Sequence, residues 1–541
     1  MTRTDDGPIV LTGANLTIEA VEAVARGGAR VRLGRGARGR MDEAHAVIER
    51  LVAEGAVVYG VTTGFGALAG TSIAAVDTRR LQENLLMSHA AAVGEPLPVD
   101  VVRAMLLLRA NTLALGHSGC RPLIVGRILD LLEAGIHPVV PSRGSVGASG
   151  DLAPLAHLAL PLIGRGLVTM GPAGGGATNG GPNHPGPGIP ALVALEEAGL
   201  EPLVLEAKEG LALLNGTQLM SAIGALLLAD ARRLVRTASV VAAMSVEALL
   251  GTDVAFAAAY HLARPHPGQV AVAAQLRTLL RDSQWQAHHH ADRHKVQDPY
   301  SLRCVPQVHG AVRDALGYLA GVLDVEMNSA TDNPLVFPGL PVAATDAVGT
   351  GGGLVISGGN FHGEPIALAL DFAKLAIAEL GSISERRTAQ LLDPRLNSGL
   401  PAFLAPASGV ESGMMIYQYT AAALVSESKV LVHPASADSI PTSANQEDHV
   451  SMGSIAALHA RDVLDNVERV LAIELLCAAQ ALDLRATTLP GLRPGAGVAE
   501  GLARVRAVVP HLDRDREPGP DLAAATALVH DGALAALAGP A

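Results

Sequence analysis

The stretch Pro141-Ser-Arg-Gly-Ser-Val-Gly-Ala-Ser-Gly-Asp-Leu-Ala-Pro-Leu-Ala-His157 sets Ser149 between the small residues Ala148 and Gly150. Gly144, Gly147 and Gly150 allow tight backbone geometry around it. If the turn brings the Gly150 amide nitrogen onto the Ala148 carbonyl carbon, a five-membered ring closes. Loss of water from the ring and from Ser149 then leaves an exocyclic methylidene, an electrophile that no ordinary side chain supplies. A serine-hydrolase elbow fits poorly, because Gly-x-Ser-x-Gly needs glycine where Asp151 stands. The plain alternative is a glycine-rich turn into an Ala/Leu helix.

Other reactive groups are scattered along the chain. Tyr59-Gly-Val-Thr-Thr-Gly-Phe-Gly66 has three glycines but lacks the lysine and the strand-to-helix unit of a phosphate cradle, so a flexible surface loop explains it equally well. His89 lies on a helix expected over 78–92, where a single histidine is ordinarily structural. Asn215 and Gln218 interrupt an apolar helical pattern over 208–249, and a helix–helix hydrogen bond would account for both. Arg303, in Val296-Gln-Asp-Pro-Tyr-Ser-Leu-Arg-Cys304, has the planar fork that suits a carboxylate, though alone it reads as a surface ion pair. Glu447 and Asp448 precede a helix whose positive end they would favour. His288-His-His290 and His294 invite a metal, but adjacent histidines point in different directions and no metal is assigned. Gly349-Thr-Gly-Gly-Gly353 could pass for a nucleotide loop.

These groups need a scaffold, and composition says of what kind. Apolar residues make up 49% of 541, yet aromatics are only 2%, so the core must be Ala, Leu and Val, which favours closely packed helices over β-sandwiches. Residues 8–12 read as a short strand, followed by helices near 17–26, 41–54, 99–115 and 120–134. Leu464, Val467, Leu471 and Leu475 recur at helical spacing in a segment expected over 454–484, and 307–327, 365–386 and 413–430 look similar. The expected fold is mainly α: a long-helix bundle over 201–541 and a smaller mixed domain over 1–200 bearing the Ala-Ser-Gly loop. The Gly/Pro tract 171–188 reads as a flexible surface insertion. A net charge of -12 argues against nucleic acid as a partner. Polar residues in the most apolar windows argue against membrane spans, as Arg103, Arg109, Asn215 and Gln218 illustrate. Three distant cysteines and no basic-then-apolar leader suit the cytoplasm.

Gly147-Ala-Ser-Gly-Asp-Leu-Ala-Pro-Leu155 resembles the signature of the aromatic amino acid ammonia-lyases, and four further blocks match that family in order: 59–66, 209–218, 296–304 and 443–449. Ser357-Gly-Gly-Asn-Phe-His-Gly-Glu-Pro365 and Asp332-Asn-Pro334 match too, the latter as a helix-ending turn. The resemblance implies that Ala148, Ser149 and Gly150 form methylidene-imidazolone autocatalytically, with no external cofactor. It places Tyr59 on a mobile lid as catalytic base and Tyr300 as an aid to proton movement or to the electrophile's polarisation. Asn215 would lie beside the electrophile and the substrate carboxylate. Gln297 joins Tyr300 in the substrate-site trio completed by Arg303, the carboxylate clamp, and Phe361 is the aromatic near the electrophile. Ser88-His89 and Glu447 match members that act on histidine; tyrosine-acting members commonly carry His one position earlier, and phenylalanine-acting members Phe-Leu. The implied reaction is non-oxidative loss of ammonia from L-histidine, giving trans-urocanate. The implied assembly is a homotetramer whose active sites draw on three chains. A tyrosine or phenylalanine lyase, an aminomutase with the same electrophile, and an uncyclised helical scaffold are the rival readings.

Overall fold

Small side chains let helix backbones meet. On the helix Val305–Glu326, a Cβ on Gly310 would collide with the Gln269 backbone of the helix Pro267–Leu279, so these helices approach at main-chain distance. The computed structural model describes every residue except 1–6, 65, 67–69, 71–72, 74–76, 148–149, 173–185, 187, 293–295, 341–347, 351, 406, 408 and 540–541. Its architecture is mainly α, as expected, with strands of two to four residues.

The described chain forms two compact units, each assembled from separated stretches. The first comprises Met1–Leu226, Ala320–Leu370 and Pro434–Leu458. The second comprises Leu227–Leu319, Asp371–His433 and His459–Ala541. The sequence-based boundary at 200/201 is serial, whereas these units interleave. Core packing shows why: Val336 and Val355, from late in the chain, join Val47, Ile48 and Leu51 of the helix Arg35–Ala53 in one buried cluster. The Gly349–Gly353 stretch belongs here. Its described residues lie in the antiparallel strands Val348–Thr350 and Gly353–Ile356, not in a strand-to-helix phosphate loop.

All described strands belong to the first unit and make four small sheets. Ile9–Leu11 pairs in parallel with Val31–Leu33, connected through the helix Ile18–Ala25, whose N-cap Thr17 accepts from the Ala20 amide. The helix Val99–Ala114 is buried at every position, which explains its unbroken apolar run. Arg103 and Arg109 are inside it, their charge met by main-chain carbonyls. Lys208 and Asp332 form a fully buried ion pair at 2.8 Å.

Every regular element among the described residues of the second unit is a helix. The segment expected over 454–484 belongs to the helix Gly453–Thr488, and Leu464, Val467, Leu471 and Leu475 are at most 3% exposed. Within the second unit, Arg387 and Glu474 pair with no exposure on either side. Cys120, Cys304 and Cys477 are all free thiols. Among the described residues no helix is long and apolar enough to cross a membrane.

Candidate active site

The loop around Gly150 is gripped from three directions within the first unit. The Asp151 amide donates to the Gly216 carbonyl at 2.7 Å, in a parallel bridge between Gly150 and Gly216. That bond uses the Asp151 N–H and leaves the Gly150 nitrogen out of it. Gly150 has φ +76°, and a Cβ there would collide with the Gly216 peptide. On the other side, the Gly147 carbonyl accepts from Ser451 Oγ at 3.0 Å and from the Gly363 amide at 3.4 Å. Ser454 Oγ donates to the Ser145 carbonyl at 2.6 Å. Ala148 and Ser149 lie outside the described residues; Gly147 before them and Gly150 and Asp151 after them are the residues so held.

Asp151 anchors this arrangement from below. Its fully buried carboxylate accepts from Ser145 Oγ at 2.9 Å and from the Leu219 and Met220 amides at 2.9 and 3.2 Å. The two amides belong to the first turn of the helix Gln218–Ala248, whose N–H groups need acceptors. Burial pushes the Asp151 carboxyl up to about 7, against the downward pull of these three bonds. A carboxyl raised from 3.8 to about 7 keeps in the folded chain a proton that the unfolded chain has lost. Its contribution is therefore full below 3.8, declines as pH rises to about 7, and is flat above. Asp151→Asn, with no proton to lose, is expected to remove that decline from a Tm-against-pH series. A parallel decline in variant and parent would assign it to other groups.

The 208–249 segment, expected as one helix, is two: Glu209–Leu214 and Gln218–Ala248. Asn215 caps the first with an extended backbone, and Gly216 follows at φ +154°. The break has a tertiary cause, since it gives Gly216 a free edge to pair with Gly150 and Asp151. Gln218 bears out the bland reading: its Oε1 accepts from Arg109, and its Nε2 donates to Thr112 and Thr331 hydroxyls.

Beside this break lies a cavity of about 800 Å³ whose lining includes Tyr59, His89, Leu152, Asn215 and Glu447. Residues separated by nearly 400 positions thus face one space. Tyr59 Oη accepts the Gly66 amide at 3.2 Å. His89 Nδ1 lies 2.9 Å from the Leu85 carbonyl; a carbonyl only accepts, so Nδ1 carries the proton and Nε2 is the acceptor of the neutral ring. Burial holds the His89 imidazole below its ordinary range, while the Leu85 bond and the Glu447 carboxylate act in the opposite direction. Glu447 is pinned by Thr442 Oγ1 at 2.5 Å and by a two-way backbone bridge to Thr442. The turn between them carries Ser443, Ala444 and Asn445 at positive φ, a strained wall for the cavity.

The remaining expected residues stand elsewhere. Phe361 is half-buried and does not line the cavity, though it lies two residues before Gly363, which holds Gly147. Gln297, Tyr300 and Arg303 belong to the second unit; Gln297 is exposed and Tyr300 is 72% exposed. The Arg303 guanidinium lies 4.7 Å from the Tyr300 ring centre, and among the described residues its Nε has no hydrogen-bond partner. In the histidine run, His290 pairs with Asp253 at 2.8 Å, and His294 lies outside the described residues.

Among the described residues, one trio holds its potential ligand atoms within 4.8 Å: His362, Glu364 and His449. His362 Nδ1 accepts the Glu364 amide at 3.3 Å, which leaves Nε2 to donate to the His449 carbonyl at 3.2 Å. Both ring nitrogens are committed, so the trio is a clip between two segments. Sequence reasoning passed over this clip and over Ser451 and Ser454. A small polar residue in a loop carries no signal of a partner some 300 positions away.

A model of the aromatic amino acid lyase family matches residues 16–507. Histidine ammonia-lyase of Anaeromyxobacter sp. (strain K) is 54% identical over 527 residues, covering 97% of this chain and 99% of that one. The histidine ammonia-lyase of Gloeobacter violaceus is 52% identical over 526 residues, 97% of this chain and 96% of that one. Among solved structures, histidine ammonia-lyase from Trypanosoma cruzi has a TM-score of 0.85 at 43% identity, covering 98% of this chain and 95% of that one. Tyrosine aminomutase from Streptomyces globisporus has a TM-score of 0.88 at 36% identity, covering 98% of each chain.

Proposed function

The chain belongs to the aromatic amino acid lyase family, and on that premise we propose that it removes ammonia from L-histidine without oxidation, yielding trans-urocanate. The observation that carries this reading is the cavity in which His89 and Glu447 face Tyr59 and Asn215 beside the gripped Gly150 loop. The relatives at 54% and 52% identity that bear the name histidine ammonia-lyase support it.

The prosthetic group proposed for Ala148-Ser149-Gly150 is methylidene-imidazolone, and the flanks fit it. Gly150 admits no Cβ, Gly147 has φ +66°, and both ends are tied to distant segments. The group supplies an electrophilic carbon that makes the substrate's amine a better leaving group; no external cofactor is required. The protein's own residues do the rest. His89 Nε2 and the Glu447 carboxylate are acceptors, suited to the N–H groups of an imidazole ring or the substrate amine. Tyr59 takes a β-proton, the C–H electrons become the new double bond, the Cα–N bond breaks, and the amine leaves as ammonia with its proton. The Gly66 amide donates to Tyr59 Oη and so orients the phenol within the cavity. Asn215 orients the substrate beside the electrophile, and Arg303 clamps its carboxylate.

Arg303, Tyr300 and Gln297 act from a neighbouring subunit of a homotetramer in this proposal, with Phe361 near the electrophile. The large exposure of Tyr300 in the single chain, and the unpartnered Arg303 Nε, support that assignment. The enzyme is assigned to the cytoplasm, with a small amino acid as its substrate.

The test is a parallel assay of L-histidine, L-tyrosine and L-phenylalanine, following the ultraviolet absorbance of each conjugated acid. Histidine alone is expected to respond; a response only to tyrosine or phenylalanine would overturn the specificity argument. The resemblance to a tyrosine aminomutase favours one second reading, return of ammonia to the β-carbon, which a β-amino acid product would reveal. Glu447→Gln is expected to lower kcat/KM for histidine by about ten- to a hundredfold, the scale of losing a charge-assisted hydrogen bond. A change below twofold would remove Glu447 from substrate recognition.

A further inference from the structure

Arg109 stands on the helix Val99–Ala114 with 1% exposure, and among the described residues its hydrogen bonds go to two main-chain carbonyls and an amide oxygen, not to a carboxylate. Its Nη1 donates to the Asn215 carbonyl at 2.8 Å and to Gln218 Oε1 at 2.7 Å, and Nη2 donates to the Ala212 carbonyl. These three acceptors are the last turn of one helix, its cap, and the first residue of the next. One guanidinium therefore spans the whole break. It also presses on Gly216 from beneath, since a Cβ on Gly216 would meet Arg109 Nη1 at 2.5 Å. Gly216 in turn bears on Gly150 from the other side, accepts the Asp151 amide at 2.7 Å, and excludes any Cβ at Gly150.

The stack runs guanidinium, Gly216 peptide, Gly150 backbone. We infer that Arg109 is a positioning residue for ring closure at Ala148-Ser149-Gly150, setting the height at which the Gly216 peptide compresses the loop. This inference rests on the proposal that the tripeptide cyclises. A buried cation is costly to maintain when hydrophobic residues could fill the same volume. A planar five-donor fork, however, satisfies three acceptors of fixed geometry at once, which a lysine ammonium on a flexible stem does not. Closure needs the Gly150 nitrogen to approach the Ala148 carbonyl carbon, a step sensitive to sub-ångström placement. In balance, the nitrogen–carbon bond forms as the Gly150 N–H proton passes to the former carbonyl oxygen. That oxygen then leaves as water with the Ser149 amide proton, forming the ring C=N bond, and the Ser149 hydroxyl leaves as a second water with the Ser149 Cα proton, forming the exocyclic C=C bond.

The experiment is cell-free synthesis of the full chain, parent and Arg109→Lys, with the mass of the peptide containing 148–150 followed over time. Circular dichroism checks that each product is folded. The parent peptide is expected to become lighter by two waters. Folded Arg109→Lys is expected to do so about a hundredfold more slowly or not at all. Closure at the parental rate in a folded Arg109→Lys product would overturn the inference. If Arg109→Lys fails to fold, Gln218→Met, which removes one acceptor of the fork and keeps side-chain volume, is expected to slow closure, and a parental rate there would overturn it as well. A parent that folds but never loses the two waters would refute the cyclisation reading itself, and the inference with it.

Discussion

Replacing Gly150 by alanine is expected to lower deamination by at least about 10⁴-fold, the scale of losing an essential reacting group. The 148–150 peptide of that variant is expected to keep its full unmodified mass. The cause is local and steric. Gly150 sits at φ +76°, where an L side chain is strained, and the added Cβ would collide with the Gly216 carbonyl. Neither partner can yield easily, because Gly216 is held by the Asp151 amide above and crowded by Arg109 below. Relief requires Gly150 to shift away from Gly216, which would disturb the cyclisation proposed for the tripeptide. A Gly150→Ala protein with the two-water loss and near-parental activity would show that the Gly216 contact does not govern the loop.

Removal of the Glu474 carboxylate is expected to cost about 3–5 kcal/mol of stability, the range for breaking a buried ion pair on one side. That is a large part of the about 5–15 kcal/mol that holds a typical native state together. Arg387 meets Glu474 through Nε at 2.6 Å and Nη2 at 2.8 Å, and both side chains have zero exposure. Ser245 Oγ donates to the same carboxylate at 2.6 Å, so Glu474→Ala strands a cation and a hydroxyl together. Nearby His309 offers no compensation: burial foremost, then the Arg387 charge, hold it well below the ordinary imidazole value, hence neutral. Arg387 also reaches the Ser301 carbonyl at 3.4 Å, in the turn that carries Tyr300 and Arg303. Urea unfolding of Glu474→Ala measures the cost, and Arg387→Met/Glu474→Leu is expected to recover most of it. A loss below about 1 kcal/mol in the single variant would mean that water reaches the pair.

Much of this was legible in the residues. Apolar spacing located Thr78–His89, Val99–Ala114 and Pro122–Ala134 to within a few positions, because each buries a stripe or a whole helix. It placed the start of Arg35–Ala53 six residues late, since Arg35, Gly36, Arg38, Gly39 and Arg40 show no apolar period and Gly34 offers no side-chain cap. It also read through the break at Asn215–Thr217. Leu213, Leu214 and Leu219 keep an apolar rhythm across it, and the partners that make the break favourable, Gly150 and Arg109, are distant in sequence. The site divides in the same way. Tyr59, His89, Asn215 and Glu447 were recognisable by motif and do share a cavity. Arg109 and Thr442, which hold Asn215 and Glu447, and Asp151 and Ser451, which hold the loop around Gly150, act through hydrogen bonds to residues distant from the motifs or at their edges.

The grip on the Gly150 loop has a consequence for biosynthesis. Asp151 bonds amides about 70 positions downstream, and Gly147 and Ser145 bond hydroxyls about 300 positions downstream. Those partners leave the ribosome long after the tripeptide does, at about 5–20 residues per second. If closure depends on this grip, as the proposed cyclisation implies, a nascent chain carries an ordinary Ala-Ser-Gly, and so does any fragment ending before Ser451. On the proposed cyclisation, maturation would wait until the fold has closed around these late partners, which would keep a strong electrophile from being exposed on a half-made protein.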